Sequence, residues 1–166
     1  MSKSKKLPEW DLSEYYNGVD DPQIQKDLAL YDKKAKDFVK KYRGRVKDLD
    51  ASEMLKLFKA KEDMRRIAGK LGGFAHLNST TNMLDSKATA LYQKVEESLT
   101  DSGKDLVFFS IEFNKLSNKR IDELLQDKKL KAYTPFITRL RKFKKYELSE
   151  EVEKTLMEKD ITSGSA

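Results

Sequence analysis

The chain has 166 residues, no cysteine, one histidine and a formal net charge of +6, with 37% of its residues charged. That length fits one domain burying roughly 70% of its unfolded surface, and the absent thiols exclude disulfides and thiolate metal sites and fit a reducing compartment. No apolar run approaches a membrane span and none follows the basic start MSKSKK, so the sequence predicts a soluble, cytoplasmic protein with no secretory signal and no membrane partner.

Residues 1–20 read as an irregular lead-in. Within LPEWDLSEYYNGVDDP, residues 7–22, stand Trp10, Tyr15, Tyr16 and two of the three prolines, with no regular period. An aromatic-rich segment of this kind must dock on something. From Asp21 onward, residues 21–166 form the predicted helical domain. Asp20 or Asp21 can cap the first helix and Pro22 suits its first turn. Ile24, Leu28, Tyr31, Ala35, Phe38 and Tyr42 then recur at steps of three and four, the stripe of an amphipathic helix. Gly44 supplies a stop.

A second helix is predicted from Ser52 as N-cap, with Leu57, Ala60, Met64, Ile67, Leu71 and Phe74 as its stripe. Gly72 and Gly73 either end it or admit a close neighbour. LNSTTNMLDS reads as a connection. Ala88, Leu91, Val95, Leu99, Ser102, Leu106, Phe109, Phe113 and Leu116 continue the spacing over a single long helix. Its end, DLVFFSIEF, also alternates like a strand through Val107, Phe109, Ile111 and Phe113. The unbroken helical stripe and the apolar Leu106 and Phe108 favour a helix buried on most sides. Ser117 caps a short helix over residues 118–125. Leu130, Tyr133, Phe136, Ile137, Leu140 and Phe143 mark another, with Pro135 near its start. Ser149, Glu150 and Glu151 open the last, which carries Val152, Leu156 and Met157. The expected architecture is all-α, with long antiparallel helices joined by short loops and no internal repeat.

Chemistry is scarce. His76 is the only histidine, and one His without Cys cannot supply the usual zinc sets. A Ser-His-Asp triad would need His76 in GGFAHLNST, which lacks a nucleophile elbow, so His76 reads as structural at a helix end. There is neither a P-loop nor a dinucleotide fingerprint. The acid pairs Asp20–Asp21 and Glu150–Glu151 sit where helices begin, and capping accounts for them. No residue is predicted to be catalytic or to bind metal, and none is singled out for binding substrate. A basic run is the one rival signal. No acid occurs over residues 128–146, where Lys128, Lys129, Lys131, Arg139, Arg141, Lys142, Lys144 and Lys145 interleave with Tyr133, Phe136, Phe143 and Tyr146. Such a mixture suits a freestanding binding module for nucleic acid or an acidic protein partner. The aromatics fall on the apolar stripe, however, which points to a solvated charged face and against nucleic acid.

Taken in order, several segments resemble one family. LPEWDLSEYYNGVDDP, FVKKYRGRV, KLGGFAHLNSTTNMLDSKATALYQKVEE, DLVFFSIEFNKLSN and FITRLRKFKKYELSEEVEKTLMEKDITSGSA are similar to successive N-terminal segments of oligoendopeptidase F-like peptidases, in the thimet oligopeptidase group. Gly73 and Phe74 stand where the family pattern has Ser and Tyr. The resemblance implies the helical N-terminal lobe of a larger zinc metallopeptidase that cleaves short peptides in a cleft between helical lobes. It implies zinc on an H-E-x-x-H helix in the full-length parent, where two His one turn apart hold the metal and the Glu activates water. This chain holds no such motif, so the resemblance makes it inactive alone, without a cofactor of its own, and short of a C-terminal catalytic domain, its implied partner. It also implies that Trp10, Leu12, Tyr15 and Tyr16 clasp helices.

Overall fold

The structure, a computed structural model, describes residues 11–81 and 84–163. Among these residues it is all-α and contains no strand. Helix α1 spans Pro22–Tyr42, with the Asp21 side chain accepting from the Gln23 N–H and Pro22 in the first turn. All six stripe residues of α1 are buried. The helix stops because Gly44 takes a positive φ of 78°, where an L side chain would be strained.

The following link crosses a 3-10 turn at Val46–Asp48 into α2, Ala51–Thr81. The cap of α2 is Asp50 and not Ser52. Asp50 accepts from the Glu53 N–H at 2.8 Å while Glu53 accepts from the Asp50 N–H at 3.2 Å, a reciprocal capping box. Nor do Gly72 and Gly73 end the helix or seat a tight neighbour. A Cβ at Gly72 would meet only ordinary contacts at 3.8 Å, and one at Gly73 nothing within 4 Å. α2 runs on through the polar segment expected to be a connection, and there its side chains bond back onto the helix. Asn78 donates to the Phe74 carbonyl at 2.9 Å, Thr80 to that of His76 at 2.9 Å and Thr81 to that of Leu77 at 2.8 Å.

Asp85 caps α3, Ser86–Gly103, by accepting from Lys87 and Ala88 N–H groups. The single long helix expected here is broken. A 3-10 turn at Lys104–Val107 separates α3 from α4, Phe108–Lys115. The break follows Gly103, where an added Cβ would lie 3.0 Å from the Tyr31 hydroxyl of α1. The segment DLVFFSIEF is nonetheless helical, and Phe108, Phe109 and Phe113 are all buried. Ser117 caps α5, Asn118–Leu124, through the Arg120 N–H. The next predicted helix is two pieces, α6 at Lys128–Lys131 and α7 at Thr134–Lys142. A final helix, α8, covers Glu150–Ser163.

α1, α2 and α3 pack against one another, antiparallel in succession. The larger core joins Phe38, Tyr42, Phe58, Phe108, Phe109, Phe113, Ile121, Leu130 and Ile137; a second joins Tyr16, Ile24, Leu28, Leu71, Phe74, Leu91 and Val95. Glu112 of α4 fastens the α1–α2 link, accepting from the Gly44 N–H at 2.7 Å and the Val46 N–H at 3.4 Å. Glu112→Ala removes the acceptor of both donors, of which only the Val46 N–H is shielded from water, and is expected to cost about 1 kcal/mol in urea unfolding. A loss below a few tenths would mean that this carboxylate does not hold the link.

Candidate functional site

The lead-in docks where its aromatics demand. Tyr16 is 3% exposed, stands edge-on to Phe74 at 5.0 Å and lies beneath the Lys70 ammonium at 4.1 Å. Its hydroxyl donates to Asp27 at 2.8 Å, and burial together with that bond pushes the phenol pKa up. Leu12 packs on the same core, whereas Tyr15 is exposed. The clasp expected of Leu12 and Tyr16 thus closes on α1 and α2 of this chain. Trp10 lies outside the described residues.

A lattice of charges joins the C-terminal elements to the rest. Arg43, just past α1, pairs with Glu150 of α8 and lies 3.8 Å from Asp105. Lys154 of α8 meets Asp105 at 2.5 Å and Glu150 at 3.1 Å, and Lys104 meets Glu158 at 3.2 Å. The Lys154 hydrogen bond holds the Asp105 carboxyl below its ordinary range, and the same bond raises Lys154. Asn114, buried on α4, donates to Glu147 at 2.8 Å and so pins the segment before α8. The residues implicated in this lattice bind one another, which makes it a structural joint. Glu150 belongs to it, and Asp21 caps α1 as its position at a helix start suggests.

The structure places His76 and the basic run as follows. His76 is exposed and sits inside α2, not at its end, beside Tyr92 at 5.7 Å. Among the described residues no group of three or more His, Asp or Glu side chains could hold a metal ion. The basic run is divided among α6, α7 and a 3-10 turn at Lys144–Tyr146. Its Arg141 is spent on the Leu116 carbonyl at 3.1 Å and on Asn118 at 2.6 Å. Tyr133 and Phe136 pack on Phe58 at 4.9 and 5.5 Å, although Phe136 stays partly open to solvent. Phe143 and Tyr146, expected to face the core, are instead 58% and 65% exposed, because α7 ends at Lys142 and the helical stripe ends with it.

One cavity was not visible in the sequence. About 560 Å³ in volume, it opens between α1, α2, the turn before α4 and the start of α7, with Tyr31, Phe58, Met64, Leu106, Tyr133 and Phe136 among its walls. Lys61 and Arg65 enter it from α2, and so does Glu62, which accepts from the Tyr133 hydroxyl at 2.9 Å. The Lys61 ammonium lies 4.5 Å from the Phe109 ring centre and 6.0 Å from that of Phe38. Burial among these rings pushes its pKa down to about 8. Lys61 is not among the residues that the sequence singles out. The available clue was spacing, since Lys61 sits four residues after Leu57 and three after Phe58, on the buried side of α2.

Residues 112–166, about a third of the chain, match a peptidase N-terminal-domain model described as Oligopeptidase F. No curated protein and no solved structure matches the chain. The matched stretch contains the segments DLVFFSIEFNKLSN, from Glu112 on, and FITRLRKFKKYELSEEVEKTLMEKDITSGSA, two of those that carried the resemblance. Residues 112–166 are thus similar to the N-terminal region of oligopeptidase F, within a chain whose described residues are all-α.

Proposed function

We propose that this chain is the non-catalytic N-terminal domain of a cytoplasmic, zinc-dependent oligopeptidase that hydrolyses short peptides. It walls the substrate cleft and docks against a catalytic domain that carries the zinc. The observation that carries this reading is the position of the exposed apolar side chains. Phe143, Tyr146, Leu148, Val152 and Leu156 are all exposed, and all lie within the segment matching the peptidase model. A cluster of large apolar groups left open on a folded domain is the usual mark of a covered interface. The sequence supports this division of labour, since the chain carries no H-E-x-x-H motif, which the family chemistry requires.

Two measurements test the proposal. Purified chain with added zinc should give no chelator-sensitive hydrolysis of a short-peptide library; turnover that copurifies with the chain and is abolished by chelation would place catalysis here and overturn it. The coding DNA beyond Ala166 should stay open and encode H-E-x-x-H some hundreds of codons later. A stop codon directly after Ala166 would remove the proposed catalytic domain.

A further inference from the structure

The cavity beside Lys61 has the chemistry of a ligand site. Its volume of about 560 Å³ lies within the range of small-molecule pockets, and its walls are mainly apolar with a few polar groups, the usual composition of such sites. The polar groups are unbalanced. Glu62, the one carboxylate on the wall, is engaged by the Tyr133 hydroxyl. Lys61 and Arg65 make no hydrogen bond or ion pair among the described residues; the Lys61 ammonium has only the faces of Phe109 and Phe38. A part-buried ammonium without a counterion is a costly feature for a helix to carry, and an anion entering the cavity would relieve it. Rings around the charge supply the complementary surface for an apolar body.

We propose that this cavity binds a carboxylate attached to an aromatic or branched apolar group, with the carboxylate meeting Lys61 and Arg65 and the apolar group lying among Phe58, Met64, Leu106 and Phe136. The charge selects against amides and amines of the same shape, and the walls select against small hydrophilic acids such as acetate. The chemistry is shared by the C-terminal residue of a short peptide and by a free arylalkyl acid. It stands independently of the peptidase reading, because it uses only residues of α2 and their neighbours.

The test is calorimetric titration of the purified chain with N-acetyl-phenylalanine, its C-terminal amide, and 3-phenylpropionate. Saturable binding of either acid is expected, with the amide at least tenfold weaker. Binding of both acids indicates a general arylalkyl carboxylate site, and binding of N-acetyl-phenylalanine alone indicates a peptide C-terminus. Lys61→Met should weaken the acids at least tenfold while the far-UV circular dichroism and melting transition stay cooperative. Arg65→Gln should weaken them less. Equal binding of acid and amide, unchanged binding in Lys61→Met, or no binding of either acid at millimolar concentration each overturns the proposal.

Discussion

Phe58→Ala is expected to destabilise the chain by about 3–5 kcal/mol, the range for removing a buried aromatic ring. Phe58 is the point where helices from distant parts of the sequence meet. Its ring lies 6.2 Å from Phe109, 5.9 Å from Phe113, 4.9 Å from Tyr133 and 5.5 Å from Phe136, so α2, α4 and the start of α7 share it. It also forms a wall of the cavity, so truncation enlarges an existing space and the surroundings cannot close over it cheaply. Domains are stable by only about 5–15 kcal/mol, so this one change removes a large share of the total. The melting midpoint should fall by on the order of 10 °C. Phe136→Ala, at the open edge of the same cluster, should cost about 1 kcal/mol. If the two variants melt together, the ring cluster does not hold these helices in solution.

Lys61→Met is expected to act in the opposite direction and to depend on pH. The ammonium is buried against rings without a counterion, and its pKa falls from 10.5 to about 8. The unfolded chain therefore holds this proton more tightly than the folded chain between those two values. The resulting penalty on the folded state is complete below pH 8 and disappears as pH rises through 10.5, so the Lys61 contribution to wild-type stability should climb across that window. Methionine keeps the apolar stem and removes the charge. The variant should gain on the order of 2 kcal/mol at pH 7, after allowing for residual solvation and the lost ring contacts, and its advantage should shrink steadily above pH 8. The raised phenols of Tyr31 and Tyr133 act with the opposite sign, lowering stability as pH passes 10, but they do so in variant and wild type alike, so the difference between the two chains isolates Lys61. Urea unfolding at pH 7, 8.5 and 10 reads the effect, and a constant difference between variant and wild type would show that Lys61 does not titrate within the window.

These two residues also show what the sequence disclosed. Periodicity sufficed wherever a helix lies on the core with one face. Every stripe residue of α1 is buried and Asp21 is its cap. The same reasoning located Phe109 and Phe113 correctly and favoured helix over strand for them. It failed where local bonding overrides residue type. Asn78, Thr80 and Thr81 look like a loop, yet each bonds back to a carbonyl of the preceding turn and extends α2. It failed again after Gly103, where the helix gives way to a 3-10 turn at a close approach to the Tyr31 hydroxyl, a residue far away in the chain. For function, the sequence could name a resemblance but not the Lys61 cavity. A lysine among lysines carries no mark of burial, and the walls come from segments as separated as Tyr31 and Phe136.

The charge lattice at α8 has a consequence for how the molecule comes apart. None of the described side chains of α8 is buried, and ion pairs through Arg43, Lys104, Asp105 and Lys154 tie it to the residue after α1 and to the turn after α3. Ions in solution compete with such pairs over distances of about 8 Å at physiological strength, whereas the oily contacts among α1, α2 and α3 are indifferent to them. The molecule therefore has two adhesives with different solvents. Salt loosens α8 first, and with it the apolar side chains it displays, while the three long helices stay together until the core itself gives way.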